Sequence, residues 1–76
     1  MLDRITFDPA VMGGRACIRG MRMTVSLVVN LVANGMSIAD IIREYPELEA
    51  EDIRQALQYA SELTNEKIGF FKSPAA

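Results

Sequence analysis

The spacing of apolar and polar residues changes character near residue 24. Before it, apolar residues come in twos and threes, broken by glycine, proline or charge. Ile5-Thr6-Phe7 is a β-prone triplet stopped by Asp8-Pro9, and Gly13-Gly14 punctuates the next stretch. Ala16-Cys17-Ile18 and Met21-Arg22-Met23 flank Arg19-Gly20. That arrangement predicts a tight hairpin, with the glycine supplying a positive φ that other residues resist.

Beyond residue 24 the period becomes helical. Val25 to Asn34 is valine-rich enough for a strand, but Ser26, Asn30 and Asn34 fall four apart. They make one stripe on a helix, where a strand would alternate every second residue. Thr24 is placed to cap this first helix and Gly35 to stop it. Its circumference is mostly apolar, which makes it a core helix, a subunit contact, or both. Ser37-Ile38-Ala39-Asp40 opens a short second helix with a capping residue and a negative charge at its positive end. Ile38, Ile41 and Ile42 form its expected buried side, and Pro46 ends it near Tyr45. A third helix is expected from about Ala50 to Thr64. Ile53, Ala56, Leu57, Tyr59, Ala60 and Leu63 cluster within about 160° of arc, opposite Arg54, Gln55, Gln58, Ser61 and Glu62.

Two helices joined by Pro46-Glu47-Leu48-Glu49, behind a supporting first helix, describe a helix-turn-helix. The predicted fold is mainly α: a three-helix, homeodomain-like helix-turn-helix bundle with a short N-terminal β hairpin or arm. Residues 1–24 form the arm, 25–64 the trihelical core and 65–76 a C-terminal tail, all within one domain. Small three-helix bundles in general share this pattern.

Composition narrows the chemistry. The chain of 76 residues has one cysteine and no histidine. Neither an internal disulfide nor a zinc site of the Cys/His kind is available to it. Met1-Leu2-Asp3-Arg4 lacks the apolar core of a signal peptide, and Val25 to Ala33 is too short to span a bilayer. A soluble cytoplasmic protein without a membrane partner is expected. The net charge of −2 is unevenly spread. Residues 1–24 carry four arginines against Asp3 and Asp8, net +2, while residues 25–76 carry four basic and eight acidic groups, net −4.

The run Arg4-Ile5-Thr6-Phe7-Asp8-Pro9, joined to the segment from Gly13-Gly14-Arg15 to Thr24-Val25, resembles a known prokaryotic family. Gly35-Met36-Ser37, Tyr45-Pro46-Glu47-Leu48 and Glu51-Asp52-Ile53-Arg54-Gln55-Ala56-Leu57 continue the match. It is similar to domain-of-unknown-function family 433, grouped with helix-turn-helix proteins and VapB-like antitoxins, over about residues 4–63. The resemblance implies a small dimeric helix-turn-helix protein behind a β arm, often encoded beside a PIN-like ribonuclease toxin that it neutralises. Three positions depart from the family pattern: Ala16 replaces a usual proline, Met21 a usual threonine, and Glu49 a usual capping threonine or serine. The last substitution removes a cap worth about 1 kcal/mol and weakens the expected start of the third helix.

Two sets of residues are candidates for binding DNA. Arg54, Gln55 and Gln58 on the outer face of the third helix are suited to reading base edges, since Arg pairs with guanine and Gln with adenine. Arg15, Arg19 and Arg22 are suited to phosphates, on which affinity chiefly rests. Against both stand Glu49, Glu51 and Asp52, which repel phosphate, and the alternative that these are ordinary solvated faces. The arginines can equally meet carboxylates of a partner or of this chain's own helices. Gly13-Gly14-Arg15 is not a phosphate loop, because no Lys-Ser/Thr pair and no long helix come after it.

No catalytic residues and no cofactor are expected. Without histidine, acid–base work would fall to groups poorly matched to neutral pH. The acidic cluster at Glu47, Glu49, Glu51 and Asp52 suits a helix N-terminus better than a metal. Cys17 reads as buried packing, and the five methionines as gap-filling core. In the tail, Ile68, Phe70 and Phe71 lie between Lys67 and Lys72 and need burial. They are candidates for binding a toxin, with docking on the chain's own arm or across a dimer as the alternative. The leading expectation is an antitoxin-like, non-enzymatic homodimer that binds double-stranded operator DNA and a PIN-like toxin. Its rival is a protein-interaction module, a dimerisation or adaptor unit, that does not bind DNA.

Overall fold

Thr24 marks the point where the chain passes from extended arm to helix. The computed structural model describes residues 2–64. It contains strand β1 (Ile5–Thr6), a 3-10 turn (Met12–Gly14), strand β2 (Cys17–Ile18) and helices α1 (Val25–Ala33), α2 (Ile38–Glu44) and α3 (Ala50–Leu63). The protein is therefore mainly helical, three helices with a short antiparallel ribbon at the N-terminus. Among the described residues no helix is long and apolar enough to cross a membrane.

β1 pairs with β2, Ile5 opposite Ile18 and Thr6 opposite Cys17. The tight turn forms where glycine was expected. Met21 N–H donates to the Ile18 carbonyl at 2.8 Å, with Gly20 at φ 72° and Arg19 at φ 46°. Two positive φ values in sequence are what a type I′ turn requires. The expected strand Met21–Met23 is reduced to a return, with Ile18 N–H on the Met23 carbonyl and a bridge between Cys17 and Thr24. The other edge of β2 is taken by β1 across the loop of residues 7–16, a pairing of distant segments that local turn signals do not reveal.

The helix ends are set by their capping residues. Thr24 Oγ1 accepts from Leu27 N–H at 3.1 Å and starts α1. At the other end Gly35, at φ 93°, lets its own N–H reach the Val32 carbonyl and Met36 N–H reach the Leu31 carbonyl. This is a Schellman motif, and it needs a left-handed residue at that position. Ser37 Oγ accepts from Asp40 N–H at 3.0 Å while Asp40 Oδ2 accepts from Ser37 N–H at 3.4 Å. The reciprocal box starts α2 one residue after α1's stop motif ends, which fixes a short connection.

One apolar cluster joins both strands and all three helices. Ile5, Ile18, Met23, Val25, Val28, Ile41, Leu48, Ile53 and Ala56 are buried together. The ribbon thus supplies core residues to the helices. Each fully buried branched side chain contributes about 1.5–3 kcal/mol, so the arm is a structural part of the bundle. Two expectations fail at the edges of this core. Ile38, placed on the buried side of α2, is exposed, and Leu63, placed on the inner face of α3, is 69% exposed. Ile38 is the first residue of α2 and Leu63 the last of α3, where no described neighbour extends far enough to cover them.

Candidate functional site

The first turn of α3 carries the densest polar arrangement among the described residues. Asp52 sits at its third position and is 0% exposed. Its Oδ1 accepts from Arg19 Nε at 3.0 Å and Arg4 Nη1 at 3.1 Å. Its Oδ2 accepts from Arg19 Nη2 at 2.9 Å and from Glu49 N–H at 2.8 Å. The Arg19 fork is bidentate, the strongest pairing available to a carboxylate. Arg19 Nη2 also donates to the Glu47 carbonyl at 2.7 Å, and Arg4 Nη1 to Glu49 Oε1 at 2.6 Å. Burial alone would push the Asp52 carboxyl up. Arg19, the Glu49 N–H and Arg4 outweigh it and hold the group below the ordinary carboxylate range.

This cluster ties the arm to the turn between α2 and α3. It also resolves the weak cap, because the Asp52 carboxylate takes the Glu49 N–H that a helix start leaves orphaned. Arg19 is correspondingly not an open phosphate ligand. Its guanidinium is already saturated on one edge, and its pKa is raised by the same carboxylate. The sequence placed Arg19 beside Arg15 and Arg22 as one basic set. The structure instead clamps it, still partly exposed, on Asp52 and the Glu47 carbonyl.

Gln55 requires a second correction. It is 3% exposed and does not lie on the outer face. Its Oε1 accepts from Arg4 N–H at 2.9 Å, and its Nε2 donates to Asp3 Oδ1 at 2.9 Å and Glu51 Oε2 at 3.0 Å. The arm covers this side of α3, and a polar residue there is tolerable because both polar atoms of its amide are paired. Reaching a base edge would require breaking these bonds. Among the described residues no buried side-chain nitrogen or oxygen lacks a partner.

Arg54 and Gln58 remain exposed on α3, one turn apart. Together with Leu2 and Glu62 they line a shallow polar cleft of about 380 Å³. Arg54 is held by Glu51 through Nε at 3.0 Å and Nη2 at 2.7 Å, and Gln58 donates to Glu62 at 3.1 Å. Arg54 and Gln55 hold the Glu51 carboxyl down at about 2. A ligand at this face must therefore compete with intrahelical partners. Arg22 is exposed, its Nη1 lying 3.8 Å from Met12 Sδ, and Arg15 is exposed without a carboxylate partner among the described residues.

Arg15 stands at the rim of a different feature. A groove of about 520 Å³ runs between α1 and α3, floored by Val25, Val29, Tyr59, Ala60 and Leu63. Near it Phe7, 58% exposed, packs on Tyr59 with ring centroids 5.7 Å apart and planes tilted by 58°. Cys17 is buried with a free thiol. Among the described residues no group of three or more histidine, cysteine or carboxylate side chains is placed to hold a metal ion. The three tail candidates, Ile68, Phe70 and Phe71, lie outside the described residues.

Sequence reasoning allowed Arg19 to meet a carboxylate of the chain's own helices, as it does, but singled out neither Asp52 as that partner nor Arg4 as the second arginine. A signal existed: the spacing from Glu49 to Asp52 has the form of a capping box, with an acid three residues after the cap. The arginines that meet it lie 33 and 48 residues away, and nothing local pairs them.

No solved structure matches the chain. Over 56 residues the chain is 39% identical to the uncharacterized protein y4eO of Sinorhizobium fredii (strain NBRC 101917 / NGR234). The match covers 74% of this chain and 25% of that protein, so this chain spans about a quarter of its relative's length. A family described as "Protein of unknown function (DUF433)" matches residues 5–60, which include both strands, the Asp52 cluster apart from Arg4, and most of α3. The chain belongs to the DUF433 family.

Proposed function

We propose that the protein is an antitoxin-like helix-turn-helix regulator, a cytoplasmic homodimer that binds operator DNA and neutralises a PIN-like ribonuclease. The observation that carries this reading is the exposed pair Arg54 and Gln58 on α3, the second helix of a helix-turn-helix whose turn is held by Arg19 and Asp52. A recognition helix needs a rigid turn and side chains able to reach base edges. Arg15 and Arg22, both exposed, supply the phosphate contacts. Arg19 and Gln55 serve as supports for the helix. The toxin is held through residues 65–76, with Ile68, Phe70 and Phe71 as anchors.

The test is binding of the full chain to DNA from upstream of its own coding region. Arg54→Ala and Gln58→Ala are each expected to lower specific affinity by roughly tenfold or more and to relax sequence preference. Arg15→Ala and Arg22→Ala should weaken all sequences alike and flatten the salt dependence. An unchanged preference in the α3 variants contradicts the assignment of base readers.

A second reading is a protein-interaction module that does not bind DNA. The apolar groove and the acidic partners of Arg54 and Gln58 favour it. A salt titration separates the two, since attraction to phosphates falls steeply with ionic strength and apolar docking does not.

A further inference from the structure

We propose that the groove between α1 and α3 is the seat of Ile68, Phe70 and Phe71 of the same chain. Three observations point to this occupant.

The first is the groove's composition. Val25, Val29, Ala60 and Leu63 present an apolar surface beside Tyr59, and its volume of about 520 Å³ lies within the roughly 300–1,000 Å³ of sites that bury compact apolar ligands. A domain this small gains from covering such a surface, since each aromatic ring can remove about 150–250 Å² from water.

The second is position. Leu63 is both a wall of the groove and the last residue of α3, so the chain runs on into residues 65–76 from the groove itself. Tyr59 to Leu63 spans about 6 Å of helix at 1.5 Å per residue. Extended chain advances up to about 3.3–3.6 Å per residue, so Ile68 and Phe71 have ample reach to lie along that length or to turn back over it.

The third is charge. Arg15 is the cation at the rim, without a carboxylate partner among the described residues. Glu66 enters the segment three residues after Leu63, while Lys67 and Lys72 flank the apolar residues with long stems that let their charges stay in water.

This inference goes beyond DNA reading and holds whether or not an operator is bound. It adds a condition to partner binding: the three apolar residues cannot occupy the groove and a partner at once. A toxin that uses them has to displace them.

The experiment uses the full chain, which has no native tryptophan, carrying Phe71→Trp as a reporter. The introduced indole should emit at shorter wavelength than in the urea-unfolded chain and be quenched severalfold more slowly by acrylamide. Adding Leu63→Glu to the same chain should abolish both effects, and Val29→Asn provides a second groove variant. Helical circular dichroism confirms that each remains folded. Leu63 is exposed enough that its variant retains the bundle.

Co-refolding the reporter chain with a large excess of chains carrying Leu63→Glu but no reporter distinguishes the seat's owner. Protection that survives the excess places the residues in their own chain's groove. Loss of protection in the excess would assign the groove to a neighbouring copy and overturn the proposal. So would an indole quenched from the start as freely as in the unfolded chain, or protection indifferent to both groove variants. None of these readouts involves DNA, so failure of the operator assignment leaves the result unaffected.

Discussion

The two ends of α3 are built on opposite principles. At its N-terminal end the polar groups are enclosed and paired, with Asp52 fully buried between Arg4, Arg19 and the Glu49 N–H. Toward its C-terminal end the helix is flanked by an open apolar groove and finishes on the exposed Leu63. The closed end contributes structural specificity. A buried ion pair contributes little net stability, because desolvation offsets Coulomb attraction, but losing one partner is costly. The open end carries unsatisfied apolar surface, which is favourable to bury at any partner and imposes little geometry of its own. Paired polar groups and uncovered apolar surface are thus separated along one helix.

The closed end should break most severely at Asp52. Asp52→Asn leaves two partly exposed guanidinium groups facing a neutral amide, and unfolding in urea should register a loss of about 1–3 kcal/mol, the range for weakening hydrogen bonds to a charged group. A loss below about 1 kcal/mol would show that the cluster is solvated in practice and that the turn is held by its apolar contacts. The same carboxylate makes stability depend on pH. Its pKa is depressed in the folded state, so its contribution is present above the unfolded carboxylate pKa near 4 and is lost as pH falls through the folded value. Glu51, held down at about 2, acts in the same direction. Wild-type stability should therefore be flat above about pH 5 and decline below about pH 4, and Asp52→Asn should flatten that decline.

Gln55 sharpens the comparison, because it is buried at the closed end without carrying a charge. Gln55→Ala strands the Arg4 N–H and one Asp3 contact, with an expected cost of about 1–3 kcal/mol. Backbone amide exchange at Arg4 should accelerate with it. An unaltered exchange rate would mean that water replaces the glutamine without loss. At the open end the loss depends on the tail. With Ile68, Phe70 and Phe71 seated in the groove, Leu63→Glu in the full chain should cost more than about 0.5 kcal/mol, the limit for an ordinary surface position. A loss no larger than that would mean that the tail does not cover Leu63.

Much of the fold is legible along the chain because its determinants are local. Thr24, Gly35 and Ser37 act on backbone groups within five residues, and each marks a boundary that the structure reproduces. The turn at Arg19-Gly20 is legible for the same reason. Polar residues are harder. Gln55 and Gln58 have the same side chain three positions apart on one helix, yet one is buried and the other exposed. Period alone assigns both to the solvent face. The outcome depends on the arm, whose Asp3 and Arg4 bond Gln55 and leave Gln58 exposed. Arg19 and Arg22 are both exposed and differ in their partners, since Arg19 is clamped on Asp52 while Arg22 meets no carboxylate among the described residues.

What the sequence by itself determined is the set of elements, their caps and turns, and membership in a family, since these rest on short-range hydrogen bonds and on residue pattern. Only the tertiary structure decided which charges are spent inside and which remain at the surface. Asp52 meets Arg4 and Arg19 across 48 and 33 residues. That pairing exists only because the ribbon's apolar residues Ile5 and Ile18 share one core with Ile53 and Ala56 of α3. Hydrophobic burial, which is non-directional, brings the arm to the helix. The directional demands of a buried carboxylate then select which arginines must face it.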